Sequence, residues 1–219
     1  MSARDDIFAA IERGLTSGPA GALPRRSETE IRAEAAALLA APGSVRPKLT
    51  GPDPVSAFIE KCAMPALGVT LSHVAGRSAL PQAVAQYLQE QGLPPVVAVT
   101  GDPLLADLSG AGIETRKDCA PDEAAAISVA DWAIGETGSV VIHSSPTQPV
   151  LHALLPRHWL VVVRESAVLP HLEDYATHSV AAPRNAVMIT GSSGTTDIEG
   201  FFVRGAHGPG FVHVLLMKG

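Results

Sequence analysis

The first 60 residues carry two helical patterns, each followed by a break. Apolar residues recur at helical spacing at Ile7, Ala10, Ile11 and Leu15, before glycines and prolines interrupt the pattern. Ser27, with Glu30 three residues later, is a capping box and predicts a second helix that ends near Ala41. Residues 42–54 hold four prolines and two glycines, which is typical of a linker.

These features predict a helical N-terminal arm and linker at residues 1–60 and a main domain at residues 61–219. A short helix over residues 55–62 is expected to lead into the main domain. The arm carries too little apolar surface to fold alone. Two arrangements stay open: the arm packs on the main domain, or it reaches a partner chain.

From residue 65 on, apolar runs of strand length alternate with helical patterns. The predicted strands are 67–74, 96–100, 112–115, 128–134, 140–143, 159–163, 187–190 and 212–217. The predicted helices are 80–91, 103–108, 122–126 and 170–177. Because aromatic residues are few, the core must consist of Val, Leu, Ile and Ala, which suits parallel strands covered on both faces. We therefore predict a three-layer α/β/α domain with a mainly parallel or mixed sheet.

The formal net charge of −6 argues against nucleic acid and anionic membranes as partners, because both favour clustered lysine and arginine. The N-terminal sequence lacks a basic start followed by an apolar core, so no signal peptide is expected. No apolar run approaches the roughly 20 residues of a membrane-spanning helix. These observations predict a cytoplasmic protein.

The chain has two cysteines, Cys62 and Cys119, far apart in sequence. Free thiols in a reducing compartment are favoured, and a single disulfide stays open. Two isolated thiolates cannot hold an iron–sulfur cluster by themselves, since such clusters usually need four ligands in close spacing. No HxH or HxxxH pair occurs among the eight histidines, so no metal site is predicted.

The first candidate site is the polar turn at residues 133–139, between two strand-like runs. Gly138 permits a tight turn or the close approach of a ligand, and Thr137 adds a hydroxyl. Glu136 is the carboxylate of this stretch, and it could act as a general base or nucleophile, or bind a hydroxyl or amine. The alternative is an ordinary hairpin in which Glu136 is solvated.

The second candidate site is the segment 190–199, where a buried strand runs into a glycine- and hydroxyl-rich loop. Free backbone N–H groups and several hydroxyls at a strand end commonly bind phosphate or carboxylate oxygens. The candidate ligand-binding residues are Gly191, Ser192, Ser193, Thr195, Thr196 and Asp197. The alternative is a capped turn whose polar groups bond only to the local backbone.

Two further residues lie just before strands. His207, in the sequence Gly-Ala-His-Gly-Pro, could donate a proton, bind an anion or ligate a metal, although a lone loop histidine is more often none of these. Arg157 is a candidate clamp for carboxylate or phosphate. Its alternative is structural, because Pro156 also marks the entry into the next strand.

Taken in order, these segments resemble the lactate utilization protein C family, whose domain is called LUD. The matching segments are Ile-Gly-Glu-Thr-Gly-Ser at 134–139, Leu-Pro-Arg-His at 155–158, Ile-Thr-Gly-Ser-Ser-Gly-Thr-Thr-Asp-Ile-Glu at 189–199, and Gly-Ala-His-Gly-Pro at 205–209. Each is weak alone, but four in this order form a specific pattern. Strong resemblance covers residues 127–217, and the helical arm is also similar to the start of the family.

The resemblance implies the fold of the ribose-phosphate isomerase and CoA-transferase group (NagB/RpiA/CoA transferase-like). It also implies a role in oxidising L-lactate to pyruvate beside two partner subunits that carry iron–sulfur clusters. The chain would be an accessory subunit that binds a small carboxylate or an anionic cofactor and carries no cluster alone. The hydroxyls of the 190–199 loop would hold anionic oxygens, Asp197 would fix the loop, and Glu136 and His207 would face the ligand.

One residue departs from the family pattern. Gly194 stands where the family often carries a basic residue, so the charge would have to come from Arg157, Arg204 or a partner. Two other functions stay open. Glu136 could be the nucleophile of a stand-alone enzyme of the CoA-transferase or sugar-phosphate type, or the chain could be a non-catalytic assembly or regulatory module.

Overall fold

The computed structural model describes residues 2–16, 26–179, 183–196 and 198–218. The chain divides into two compact units, residues 1–46 and 47–219. The smaller unit contains helices α1 (Ala3–Thr16) and α2 (Glu28–Ala40). The predicted capping box is confirmed: Ser27 Oγ accepts from the Glu30 N–H at 3.2 Å, and Glu30 Oε2 accepts from the Ser27 N–H at 2.7 Å.

The larger unit begins at Pro47, earlier than the predicted division near residue 60. The difference comes from helix α3 (Pro54–Cys62), most of which the sequence-based division assigns to the arm. Asp53 caps this helix through the Ser56 N–H at 2.9 Å. Phe58 and Cys62 are buried in the same core as the sheet, so α3 is part of the larger unit.

A six-stranded sheet forms the centre of the larger unit. Its strands are β1 (Val69–Val74), β2 (Val96–Val99), β3 (Glu114–Arg116), β4 (Ala125–Val129), β7 (His158–Arg164) and β12 (Phe211–Met217). They lie in the order β1-β12-β7-β4-β2-β3, and every neighbouring pair is parallel. The α/β class and the mainly parallel sheet are therefore confirmed.

A second sheet and a hairpin complete the unit. The second sheet has the order β8-β5-β6-β9, with strands β5 (Trp132–Ile134), β6 (Ser139–His143), β8 (Val168–Leu169) and β9 (Ala186–Ile189). The hairpin pairs β10 (Gly194–Thr196) with β11 (Phe202–Arg204). The remaining helices are α4 (Leu80–Glu90) and α5 (Leu172–His178).

The two faces of the six-stranded sheet are buried by different layers. Helix α4 packs on one face, where Leu88 shares a cluster with Leu160 and Leu215. On the other face, Trp159 lies in a cluster with Phe58 of α3 and Ile142 of β6. The second covering layer therefore consists of a small sheet together with a helix, rather than of helices alone. Among the described helices, none combines the length and the apolar character that crossing a bilayer requires.

Three of the predicted elements are wrong. Residues 125–129, placed partly in a helix, form β4, whose five side chains are all buried between β2 and β7. The predicted strand 128–134 divides at residues 130–131, where the chain passes from one sheet to the other. Residues 103–108 form short 3₁₀ turns, not a helix. The common cause is that a short apolar run shows neither the 3.6-residue period of a helix nor the two-residue alternation of a strand. Its conformation is therefore decided by where it is buried in the fold.

Candidate functional site

A cavity of about 610 Å³ opens at the amino ends of β7 and β12, and we call it the β7–β12 cavity. Arg157 immediately precedes β7, and Gly210 immediately precedes β12. Arg204, the last residue of β11, reaches the same cavity. The lining also includes Asp122, Leu151, Leu154, Pro156, His207 and Phe211. The cavity therefore combines basic groups with an apolar wall.

Both arginines of the cavity lie over one aromatic ring. The Cζ atoms of Arg157 and Arg204 are 5.9 and 5.2 Å from the centroid of Phe211, within cation–π range. Arg204 Nη1 also donates to the Gly210 carbonyl at 3.2 Å. Within the described part of the chain, neither guanidinium is within 4.0 Å of a carboxylate. Two unneutralised positive charges in a concave site favour an anionic ligand.

His207 and the second predicted loop meet at this cavity. The His207 backbone N–H donates to Ser193 Oγ at 3.2 Å, and the Ser193 N–H donates to the Pro209 carbonyl at 2.8 Å. The structure thus brings together Arg157, Ser193 and His207, which are distant in sequence. His207 is exposed, so its ring is accessible to a ligand.

The rest of the 190–196 loop packs against the chain that precedes β1. The Ser192 N–H donates to the Leu67 carbonyl at 2.8 Å, so neither it nor the Ser193 N–H is a free donor. Gly191 has φ +87°, and a Cβ there would lie 3.0 Å from the Leu67 Cα. Thr195 and Thr196 belong to β10, and Asp197 lies outside the described residues. The backbone N–H groups of Ser192 and Ser193 are therefore not available to a ligand, and ligand binding by the hydroxyls of this loop stays a prediction.

Glu136 caps a helix. It lies in the hairpin turn between β5 and β6, as the structural alternative predicted, but it is half-buried rather than fully solvated. Its Oε1 accepts from the N–H of Leu172, the first residue of α5, at 2.7 Å. Its Oε2 is buried and has no hydrogen-bond partner among the described residues. This geometry favours an N-capping role, which places a carboxylate at the positive end of α5.

The other two residues of this turn connect neighbouring elements. Thr137 Oγ1 and Ser139 Oγ are 2.7 Å apart, and Ser139 Oγ lies 2.6 Å from Thr190 Oγ1, so three hydroxyls form a chain. Gly138 has φ +72°, and a Cβ there would fall 2.9 Å from the Lys61 Cβ. Neither Glu136, Thr137 nor Gly138 lines the β7–β12 cavity.

A buried polar network lies on the α4 face of the sheet, next to the cavity. The His158 ring stacks on Phe211 at 4.4 Å, and its Nδ1 is 3.0 Å from the Tyr87 hydroxyl. The Tyr87 ring stacks in turn on His213 at 4.3 Å, and His213 Nδ1 is 2.7 Å from Thr70 Oγ1. Sequence reasoning did not find this network, because its members come from four separate elements.

Burial sets the protonation of the network. It lowers the pKa of His213 to about 4 and raises the pKa of Tyr87 to about 12. Burial, followed by the charge of Arg157, also lowers the pKa of His158. Both histidines are therefore neutral at pH 7. The positive charge at this end of the sheet resides on Arg157 and Arg204.

The thiols do not fit a metal cluster. Both cysteines are free; burial raises the pKa of Cys62 to about 12. Burial and the charge of Glu123 raise the pKa of Cys119 to about 11. Two thiols alone also supply fewer than the four ligands that an iron–sulfur cluster usually needs. Among the residues that the structure describes, no three His, Cys, Asp or Glu side chains cluster so as to hold a metal ion.

A second opening lies at the opposite, carboxyl ends of the parallel strands, and we call it the carboxyl-end crevice. It measures about 310 Å³ and is lined by Asp102 after β2, Asp131 after β4, and Arg164 at the end of β7. His143, the last residue of β6, also lines it. Sequence reasoning missed these residues. The available signal was that each is a polar residue at or near the end of an apolar run.

Comparison with known proteins identifies the family. Residues 106–217, just over half of the chain, match the family described as the LUD domain. The chain is 34% identical over 87 residues to the uncharacterized protein YkgG of Escherichia coli K12, covering 36% of this chain and 38% of that protein. It is 29% identical over 99 residues to lactate utilization protein C of Geobacillus thermodenitrificans, covering 42% and 41%.

A further relative and a solved structure agree with this match. Lactate utilization protein C of Exiguobacterium sp. is 26% identical over 98 residues, covering 42% of this chain and 43% of that protein. The matches thus span about two fifths of these relatives. The crystal structure of a DUF162 family protein from Deinococcus radiodurans has the same fold, with a TM-score of 0.57 at 20% identity, covering 76% of this chain and 96% of that one. On the strength of the residue 106–217 match, the chain belongs to the LUD domain family.

Proposed function

We propose that this chain is an accessory subunit of an iron–sulfur system that oxidises L-lactate to pyruvate, and that it binds an anionic ligand in the β7–β12 cavity. Membership of the LUD domain family supports the proposal. So does the similarity of this chain, over 98 and 99 residues, to two proteins named lactate utilization protein C. The likeness to the ribose-phosphate isomerase and CoA-transferase group stays a prediction.

The observation that carries the anion-binding part is the pair of guanidinium groups over Phe211. Arg157 and Arg204 are positioned by one ring and have no carboxylate partner within the described residues, so their charges are available to a ligand. The volume of about 610 Å³ lies within the roughly 300–1,000 Å³ of pockets that take cofactor-sized molecules. An anionic cofactor therefore suits this cavity better than a three-carbon acid.

The iron–sulfur part of the proposal assigns the clusters to partner subunits. Cys62 is 2% exposed in α3, and Cys119 lies in the loop before β4. Two free thiols supply fewer than the four ligands that a cluster usually needs. A cluster, when bound by a partner, would supply one-electron transfer, and the residues of this chain would bind and orient an anionic ligand.

The competing enzyme hypothesis finds less support at Glu136. A carboxylate that attacks a thioester needs an accessible oxygen. Glu136 Oε1 is engaged by the Leu172 N–H, and Oε2 is buried. The geometry therefore favours a structural role for this residue, and the nucleophile stays an alternative for a mass-adduct experiment with an acyl-CoA.

A binding panel tests the anion site. Wild-type protein is scanned for a rise in melting temperature with L-lactate, pyruvate, inorganic phosphate, a sugar phosphate and CoA. A probe that binds in the cavity is expected to lose about tenfold or more in affinity in Arg157→Ala and in Arg204→Ala. Arg184→Ala is the matched control, because Arg184 is exposed and does not line the cavity. Unchanged affinity in both cavity variants would contradict the assignment.

A genetic experiment tests the lactate role separately. Deletion of this chain in a host that grows on L-lactate is expected to abolish L-lactate oxidation, and the wild-type gene should restore it. A tagged chain should co-purify with subunits that show iron–sulfur absorbance. Growth on L-lactate that survives the deletion would exclude the proposed role, whatever the binding panel shows.

A further inference from the structure

The carboxyl-end crevice occupies the position at which open parallel sheets bind ligands. The strand order β1-β12-β7-β4-β2-β3 reverses direction at β2, since the chain runs outward from β2 to β3 and then returns to β4. Ligands of α/β proteins bind outside the carboxyl ends of the strands at such a switch point. The crevice lies there, lined by Gly101 and Asp102 after β2 and by Asp131 after β4.

Asp131 is held in place through one of its two oxygens. Its Oδ2 accepts from the His143 backbone N–H at 2.7 Å and from Gln148 Nε2 at 3.0 Å. Its Oδ1 is 3.8 Å from His143 Nδ1, which is too far for a direct hydrogen bond. A ligand oxygen placed about 2.8 Å from both atoms could bridge them. A hydroxyl suits this position, because it can donate to the carboxylate and also bond to the imidazole.

His143 is oriented from its other ring nitrogen. Its Nε2 lies 2.7 Å from the Tyr175 hydroxyl, which belongs to α5. If Tyr175 donates to Nε2, Nδ1 carries the proton and donates to the ligand; if it accepts, Nδ1 is the acceptor. The imidazole can therefore serve a ligand hydroxyl in either direction. Its side chain is 16% exposed, so it is largely shielded from competing water.

Arg164 supplies a positive charge on the same crevice. Its side chain is 37% exposed, and its nearest carboxylate, Asp102, is at 4.0 Å. The structure gives its guanidinium no hydrogen bond to any described residue, whereas Asp102 Oδ1 accepts from the Leu104 N–H at 2.8 Å. A guanidinium whose N–H donors make no hydrogen bond to the described residues is suited to a carboxylate, which it can bind through two parallel hydrogen bonds.

We infer that the carboxyl-end crevice is a binding site for a small hydroxycarboxylate. The carboxylate binds Arg164, and the hydroxyl lies between Asp131 Oδ1 and His143 Nδ1. The volume of about 310 Å³ is at the lower end of the range for ligand pockets, which suits a small acid. The inference rests on the proposed function only in the choice of L-lactate as the first probe.

The crevice is distinct from the β7–β12 cavity. The two share no lining residue. Arg157 and Arg164 mark the two ends of β7, and seven residue-to-residue steps of about 3.3 Å along the strand separate them by roughly 23 Å. Variants of either site can therefore be made without touching the other, and either assignment can fail alone.

Four probe molecules distinguish the contribution of the ligand's carboxylate from that of its hydroxyl. L-lactate and glycerate carry both groups, propanoate lacks the hydroxyl, and 1,2-propanediol lacks the carboxylate. Titration calorimetry on the full chain is expected to show binding of at least one hydroxycarboxylate, at least tenfold weaker binding of propanoate, and no detectable binding of the diol. Equal binding of propanoate and L-lactate, or binding of neither hydroxycarboxylate, would overturn the inference.

Single-residue variants test which residue binds the carboxylate of the ligand and which binds its hydroxyl. Arg164→Gln is expected to reduce hydroxycarboxylate affinity at least tenfold, whereas Arg116→Gln, an exposed arginine of β3, leaves it unchanged. Asp131→Asn is expected to remove the preference over propanoate while propanoate binding persists, because Arg164 is intact. Melting temperatures within a few degrees of wild type establish that the variants fold. Lactate binding that is lost in Arg157→Ala but kept in Arg164→Gln would place the ligand in the β7–β12 cavity and exclude this site.

Discussion

The ring of Phe202 packs directly against Gly194 across the β10–β11 hairpin, so a side chain at position 194 must displace the ring. A Cβ built on Gly194 would fall 2.7 Å from Phe202 Cε2 and closer still to Cζ. The register partner of Gly194 is Arg204, whose Cζ lies 6.0 Å from the Phe202 centroid. The hairpin thus carries a basic residue on β11, at the register partner of Gly194.

Gly194→Arg is expected to destabilise the protein by no more than about 1 kcal/mol, because the new side chain displaces the ring of Phe202, which is 64% exposed and can move into solvent. The double variant Gly194→Arg/Phe202→Ala should recover most of this loss, since the space is then free. Denaturant unfolding of the two single variants and the double variant measures the coupling. Additive losses would mean that the two residues do not compete for the same space.

The close approach of Gly191 to Leu67 gives a second prediction, with an internal control. Gly191 and Gly200 both have φ +87°, so alanine strains the backbone equally at the two positions. Only Gly191 has a neighbour, the Leu67 backbone, within 4 Å of a built Cβ. Gly191→Ala should therefore lower the free energy of unfolding by at least about 1 kcal/mol more than Gly200→Ala. Equal losses would show that the loop moves away from Leu67 at no cost.

Phe211 is expected to fix the two arginines of the cavity. Each cation–π contact at such an open site contributes about 0.5–1 kcal/mol. Phe211→Leu should increase the mobility of the Arg157 and Arg204 side chains, measured as lower NMR order parameters at Nε. Phe211→Tyr keeps the ring and is the matched control. Order parameters that stay high in the leucine variant would mean that the Gly210 carbonyl and the cavity wall fix the two arginine side chains without the aromatic ring.

The sequence correctly predicts the strands that can be recognised from their own run of apolar residues. Their identification does not require knowledge of which strands pair with them. Residues 159–163 are apolar throughout and residues 212–217 are apolar except for His213, and they form the interior strands β7 and β12. Residues 122–126 failed because their alanines favour a helix locally. Position between β2 and β7 overrode that preference, and it buries every side chain of β4. Such long-range pairing is absent from a single sequence.

Sequence reasoning identified individual residues of the candidate site, but it did not show which of them lie together in the fold. Arg157 and His207 were identified because each precedes a strand. Their meeting depends on the register that pairs His158 with Phe211, which no local motif contains. Asp131 was missed because it lies inside an apolar run that we took for one strand. The chain in fact changes sheets there, and this exposes the carboxylate at the edge of the crevice.

The last prediction concerns His213, which is 5% exposed between Tyr87 and Thr70. Burial lowers its pKa from 6.5 to about 4, so the folded chain resists a proton that the unfolded chain accepts. Stability is then fully present above pH 6.5 and falls as the pH drops towards 4, by roughly 3 kcal/mol. Urea unfolding between pH 7 and pH 4 should show this slope, and His213→Gln should reduce it, although the variant is less stable at pH 7. A ring resonance of His213 that titrates near pH 6.5 in the folded protein would contradict the prediction.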